Sequence, residues 1–295
     1  MKRRTLLQWA GAAAAAPAAA QPAPLVRTIP SSGEAIPRVG LGTWITFNVG
    51  QDPPARANCI AVMRAFFEAG GSVIDSSPMY GSSQGVVGEG LRTLGAQQRV
   101  YSADKVWTSS DGAVQVEESR RLWQVPRFDL LQVHNLLAWE KQLPLLQRMK
   151  QAGQLRHVGI TTSEGRRHRD FEEIMRRHRL DFVQLSYSLV EREAESRLLP
   201  LAAERGIAVL ANRPFAQGQL LRRLQAHPLP AWAAEIDCAS WAQFALKFVV
   251  SHPAVTCAIP ATRRVDHVRE NLGVLRSRLP DAAMRARMAA HVAAL

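Results

Sequence analysis

Short aliphatic and β-branched runs recur along the chain, each followed by a longer stretch whose apolar positions fall three and four residues apart, the spacing of one helix face. Eight runs read as strands: residues 39–43, 73–75, 100–105, 130–134, 157–161, 182–185, 207–211 and 256–260. Helices are predicted between them over 57–69, 85–94, 114–123, 143–151, 167–177, 196–205 and 240–251. Val86, Val87 and Leu91 share one face of the second helix, and Leu198, Leu199 and Ala202 one face of the sixth. Gly70-Gly71, Gly95, Gly153 and Gly206 stand where helices should stop. Strands that alternate with helices in this way predict an α/β fold, a closed (β/α)8 barrel of parallel strands rather than an open doubly wound sheet. The strand ends Asp75, Lys105 and His134 lie 30 and 29 residues apart, the length of one βα unit. No GxGxxG turn follows an early strand, which argues against the dinucleotide-binding open sheet.

Before the first barrel strand, residues 26–28 and 35–37 flank Ser31-Ser32-Gly33, a hairpin placed to plug the bottom of the barrel. At the far end, 281–294 reads as a closing helix, so residues 26–295 form one domain. The start of the chain reads differently. Lys2-Arg3-Arg4 precedes an alanine-rich apolar run broken by Pro17, and Ala18-Ala19-Ala20 offers a small-residue cleavage site. Residues 1–20 therefore resemble a twin-arginine signal, and 21–25 a short linker. The expectation is export in the folded state to the periplasm, with transient engagement of the twin-arginine machinery; a cytoplasmic protein with a basic tail is the alternative.

Composition narrows the classes. Of 295 residues 47% are hydrophobic and 21% charged, too apolar for disorder. No later segment has the ~18 uninterrupted apolar residues of a membrane span, so no membrane insertion is expected. Cys59, Cys238 and Cys257 form no CxxC pair and read as buried thiols. The net charge of +12 is spread over helices among glutamates, without the aromatic interleaving of a base-stacking surface, so no nucleic-acid partner is expected. Only five residues are lysine, which makes Lys105 at a strand end notable.

In a βα barrel chemistry gathers at the carboxyl ends of the strands. Asp75, Lys105 and His134 occupy three such ends, and Tyr80 follows Asp75 by five residues. Singly, an Asp there is more often a helix cap, a Lys solvated and a His a satisfied core residue; together they make a proton-delivery set. A phenol titrates near 10; the Lys105 cation would lower that, and Asp75 would hold Lys105 charged. Tyr80 could then give a proton to a carbonyl oxygen that His134 orients. A hydride must come from a cofactor, because no side chain supplies one.

The run Val73-Ile74-Asp75-Ser76-Ser77-Pro78-Met79-Tyr80-Gly81 resembles the first signature of the aldo-keto reductases. The similarity continues through Gly88-Glu89-Gly90-Leu91, Asp104-Lys105-Val106, Leu130-Leu131-Gln132-Val133-His134-Asn135 and Ile259-Pro260-Ala261-Thr262. The resemblance implies a (β/α)8 barrel that reduces an aldehyde or ketone with NADPH and without a metal. It also implies a catalytic tetrad of Asp75, Tyr80, Lys105 and His134, with Tyr80 as the acid.

Cofactor positions carry over from the same resemblance. Gly42-Thr43-Trp44 matches the loop beside the nicotinamide, and Gln184 the glutamine that bonds the carboxamide. Thr161-Thr162 stands where Ser-Asn is usual. Asn212-Arg213-Pro214-Phe215 replaces the usual Tyr-Ser-Pro-Leu; the stacking ring is gone, and the Arg213 guanidinium is available to lie on the cofactor instead. Gln217 and Gly218 fall in the loop that passes over the pyrophosphate. Thr262, Arg263, Arg264, His267, Glu270 and Asn271 match the segment around the 2′-phosphate and adenine. Arg263 and Arg264 either grip the phosphate or solvate a helix start. Trp44, Trp107, Trp139 and Phe215 either line an apolar site or pack elsewhere. An NADP(H)-binding barrel with a redox-sensing or partner-docking role and little turnover is the alternative function. A metal-dependent hydrolase would need more His and Asp at strand ends than His134 and Asp75.

Overall fold

Ser31-Ser32-Gly33 turns the chain back as soon as its first strand is made: Gly33 takes φ 75° and its N–H donates to Ile29 O at 2.9 Å. The computed structural model describes residues 23–163 and 165–295; the twin-arginine-like leader and the start of the linker lie outside them. Strands β1 (Val26–Thr28) and β2 (Ala35–Pro37) form the expected antiparallel hairpin, with Val26 opposite Pro37.

The barrel strands are β3 (Leu41–Gly42), β4 (Val73–Asp75), β5 (Tyr101–Val106), β6 (Phe128–Val133), β7 (Leu155–Thr161), β8 (Phe182–Ser186), β9 (Ala208–Asn212) and β10 (Cys257–Ala258). They are parallel and follow chain order around the sheet. Bridges from Val39 to Ala258 and from Gly42 to Ala261 join the first strand to the last. Gly40 N donates to Ala258 O at 2.8 Å and Gly42 N to Pro260 O at 3.0 Å along that seam. β3 and β10 are shorter than the sequence suggests. Pro260 has no N–H to give a ladder, so pairing there survives only as isolated bridges.

The helices are α1 (Pro53–Glu68), α2 (Ser83–Leu94), α3 (Gly112–Trp123), α4 (Trp139–Gln151), α5 (His168–Arg177), α6 (Leu198–Glu204), α7 (Gln219–Leu224), α8 (Trp241–Ser251), α9 (Val265–Gly273) and α10 (Ala282–Ala293). Helix α1 starts earlier than its apolar period because Asp52 accepts from Ala55 N at 3.3 Å and prolines open the first turn. Gly95 ends α2 in the left-handed region, φ 58°. Gly88 lets α2 and α3 meet: a Cβ there would lie 1.8 Å from Leu122 O. Helix α7 is an extra helix between β9 and α8, and it and α9, which follows the last strand, border the site described below.

Two apolar layers result. The larger lies between barrel and helices. The inner one fills the barrel, where Ile29 and Ile36 of the hairpin pack with Val73, Tyr101, Leu130, Phe182 and Ile259. The hairpin thus closes the amino end of the barrel, each isoleucine contributing about 1.5–3 kcal/mol by burial. Helix α10 is held by Arg285, which donates to Ser251 Oγ at 3.0 Å and Tyr187 Oη at 2.6 Å. The three cysteines are buried free thiols, as expected, and burial pushes Cys59 and Cys238 up to about 11. Among the described residues no helix is long and apolar enough to cross a membrane.

Candidate active site

Alternation along the strands places the polar groups. Tyr101 and Ala103 face the inner apolar layer, so Lys105, two residues on, faces inward nearer the open end. The same step leads from Val73 to Asp75, from Phe182 to Gln184 and from Leu210 to Asn212. Four strands thereby deliver polar side chains to one level of the barrel, above a floor made dry by the hairpin.

Lys105 is fully buried. Its Nζ donates to Asp75 Oδ1 at 2.8 Å, Asp75 Oδ2 at 2.7 Å and Ser76 O at 2.7 Å. Gln184 Nε2 adds a bond to Asp75 Oδ1 at 2.8 Å. Burial alone would lower the Lys105 pKa, but Asp75, Tyr80 and Asp104 together raise it, so the ammonium is held charged. Tyr80 stands on a single 3₁₀ turn (Pro78–Tyr80) whose N-cap, Ser77, accepts from Met79 N at 3.1 Å. The Lys105 Nζ lies 5.1 Å from the centre of the Tyr80 ring.

One expectation about this set is corrected. Lys105 does pull the Tyr80 pKa down, but burial of the phenol is the larger effect, and the net direction is up. The lysine offsets a desolvation cost rather than bringing the phenol below its ordinary value.

His134 begins the turn after β6, one residue past the strand end. Burial and then the Lys105 charge push its pKa down to about 2, so the imidazole is neutral. Ser77 Oγ lies 2.7 Å from its Nδ1, and its ring meets the Tyr80 ring edge-on at 5.6 Å. The backbone after it is strained, with positive φ at Asn135, Leu136 and Ala138. Asn135 N donates to Thr161 Oγ1 at 3.0 Å and Arg167 Nη1 to Asn135 O at 3.2 Å, which holds that turn in place.

Tyr80, His134 and Asp75 open onto a cleft of about 780 Å³. Of the residues expected at the cofactor, Gly42, Thr43, Trp44, Thr161, Gln184, Asn212, Arg213, Pro214, Phe215, Gln217, Gly218, Thr262, His267, Glu270 and Asn271 line it. Asn212 is fixed through Nδ2 to Thr162 O at 3.2 Å, while its Oδ1 accepts from Ser186 Oγ at 2.8 Å. Arg213 takes φ 51° and gives Nη1 to Ser163 O at 2.8 Å, tying the loops after β7 and β9 together.

Three expected residues lie off the cleft wall. Thr162 follows inward-facing Thr161, so alternation turns its side chain away. Arg264 is exposed and clasped by Asp266 at 3.0 and 2.5 Å, where the acid also suits the first turn of α9. Arg263 is exposed, and its carbonyl accepts from Asn58 Nδ2 of α1 at 2.7 Å. Neither Trp107 nor Trp139 lines the cleft: Trp107 is exposed and Trp139 packs edge-on to His178. Sequence reasoning missed Met79, Asn135, Ser163, Arg222, His227 and Trp241 on the cleft wall. Met79 and Asn135 stood inside the signature runs without a role, and Arg222 carried a faint signal, four residues past Gly218 on a helix that starts there; Ser163, His227 and Trp241 had none.

These features agree with the comparisons. A methylglyoxal reductase of Escherichia coli is 29% identical over 266 residues, 87% of this chain and 92% of that protein. An aldo-keto reductase of Bacillus subtilis is 26% identical over 214 residues, 67% of this chain and 64% of that protein. A crystal structure of an aldo/keto reductase from Klebsiella pneumoniae in complex with NADP and acetate superposes with TM-score 0.74 at 26% identity, covering 88% of this chain and 93% of that one. A second structure from that organism, in complex with NADPH, gives TM-score 0.75 at 26% identity, covering 88% and 92%. The model of the Aldo/keto reductase family matches residues 38–291, nearly the whole described chain, and the chain belongs to that family.

Proposed function

We propose that this protein reduces a small aldehyde or ketone to an alcohol with NADPH, with Tyr80 as proton donor. The observation that carries the reading is the buried Asp75–Lys105 pair beneath Tyr80 at the open end of the barrel. An NADP-dependent oxidoreductase is what family membership and the nucleotide-bound neighbours support. The donor set fits a dinucleotide. The cleft wall offers the hydroxyl and amide groups of Thr161 and Asn212, the backbone turn of Gln217 and Gly218, and the side chains of Arg222, His267 and Asn271. The volume also lies in the upper part of the ~300–1,000 Å³ of small-molecule sites.

When bound, NADPH supplies the hydride. The rest falls to the chain. The carbonyl oxygen of a substrate at the mouth takes a hydrogen bond from neutral His134 and a proton from the Tyr80 hydroxyl. The phenolate left behind is stabilised by the Lys105 ammonium, which Asp75 and Ser76 O hold in place. Trp44, Met79 and Phe215 give the cleft wall an apolar part beside the reacting groups. Loss of NADPH absorbance with methylglyoxal and with an aromatic aldehyde tests this. Turnover that Tyr80→Phe abolishes supports it, and equal turnover in that variant removes Tyr80 from the role.

A second reading is a nucleotide-binding barrel with little turnover. It is favoured by Asn212, whose amide is bonded on both sides and presents no ring to a nicotinamide. Tight NADPH binding by fluorescence without reduction of any reactive aldehyde would select it. We also infer export in the folded state, from the Arg3-Arg4 pair ahead of a weak apolar run.

A further inference from the structure

Ser77 is fully buried and does not line the cleft, so it touches no substrate. Its hydroxyl nevertheless has two partners of different kinds. It accepts from Met79 N–H at 3.1 Å, and it lies 2.7 Å from His134 Nδ1. A serine hydroxyl has one proton to give and two lone pairs to receive with. If Nδ1 carried the imidazole proton, Ser77 would accept twice and its own proton would have no acceptor in a buried position. Leaving such a donor unmade costs the equivalent of roughly ten- to a hundredfold in population. If Ser77 instead donates to Nδ1, every group is satisfied and the imidazole proton sits on Nε2.

We propose that Ser77 is a positioning residue that fixes His134 in the Nε2–H tautomer, so that the ring offers a donor to the carbonyl oxygen rather than a lone pair. The choice matters because the two tautomers are opposites at the reacting atom. An Nε2 lone pair would repel a carbonyl oxygen; an Nε2–H steadies it as negative charge develops. The other restraints on His134 act elsewhere. Thr161 and Arg167 hold the backbone of the next residue, and the Tyr80 ring packs against the imidazole edge, but neither contact reads a ring nitrogen. Burial and the Lys105 charge keep the ring neutral, which is the condition under which a tautomer choice exists. The kinetic consequence rests on the reductase reading above; the tautomer itself does not.

The test uses the full folded domain labelled with ¹⁵N-histidine, His134 being assigned by its loss in His134→Gln. Long-range ¹H–¹⁵N spectra of the wild type should show His134 protonated on Nε2, whereas Nδ1 protonation would overturn the proposal outright. Ser77→Ala should bring in the Nδ1–H form and lower kcat about tenfold with NADPH affinity unchanged, and Ser77→Thr should restore both. A Ser77→Ala protein that keeps a pure Nε2–H ring and wild-type kcat also overturns it. If Ser77→Ala does not fold, the wild-type spectrum decides alone. A wild type without carbonyl turnover refutes the reductase reading while leaving the spectral result standing.

Discussion

Replacing Tyr80 by Phe removes one oxygen and keeps the ring that packs on His134 and over Lys105. A positioned general acid contributes about 10²–10⁴ in rate, or about 3–5 kcal/mol of barrier. Fold stability should change by no more than about 1 kcal/mol, because the hydroxyl's partner Lys105 keeps its bonds to Asp75 and Ser76 O. Lys105→Met is a different perturbation. It strands a buried Asp75 carboxylate whose remaining side-chain donor is Gln184. Breaking one side of a buried pair costs about 3–5 kcal/mol, on the order of 10 °C in Tm for a chain of this size. Its effect on rate runs through Tyr80: burial raises the phenol pKa, Lys105 is the largest influence opposing that, and without it the phenolate is harder to form. Since reduction needs the protonated phenol, activity is lost as pH rises through the Tyr80 pKa. Removing the cation should therefore move the alkaline limb upward while lowering kcat. In the Tyr80→Phe background, Lys105→Met should cost almost no further rate, because both serve one proton transfer. Initial rates of NADPH oxidation at several pH values, with nucleotide binding followed by fluorescence, decide the matter. Additive losses, or an alkaline limb that moves down in Lys105→Met, would refute the reasoning.

Arg222→Ala should weaken NADPH binding about ten- to a hundredfold and Arg264→Ala hardly at all, since only Arg222 lines the cleft while Arg264 is spent on Asp266; titration of both variants checks the order. Asp104 is fully buried beside Gln84, and burial pushes its pKa up to about 7. Its folded form holds the proton more tightly than the unfolded one, so this group's contribution is whole below about pH 4 and is lost as pH rises through about 7, at up to about 1.4 kcal/mol per unit. Asp104→Asn should accordingly flatten the decline of Tm between about pH 4 and 7, and an unchanged decline would place the titration elsewhere. Arg3 and Arg4 replaced by Lys should block export while leaving cytoplasmic folding intact, as cell fractionation would show.

Much of this molecule was legible because two periods were clean. Strand segments of five to seven residues, such as β7 and β9, announce themselves through β-branched and aliphatic runs, and Asp75, Lys105 and His134 stand at or next to their ends. The hairpin was legible from Ser31-Ser32-Gly33. What was hidden is what depends on distance in space. The Tyr80 pKa turned on how deeply the phenol is buried, which no spacing reveals. Arg263 and Arg264 look like a phosphate grip in one dimension, yet both are exposed and Asp266, two residues on, takes the second. Arg222 was barely legible for the converse reason: α7 is six residues long, too short for a periodic signal, and only its fold places it on the cleft.

The hairpin at the start of the chain has a consequence for the order of assembly. Ile29 and Ile36 find their contacts on strands that run from Val73 to Ile259, so the site they occupy is complete only when most of the chain has already paired. Such non-local contacts are the last that a folding chain can collect. Loosening them should speed unfolding and leave the folding rate nearly untouched. The first segment to leave the ribosome in the described chain is then the last to find its place, a cork set after the bottle is made.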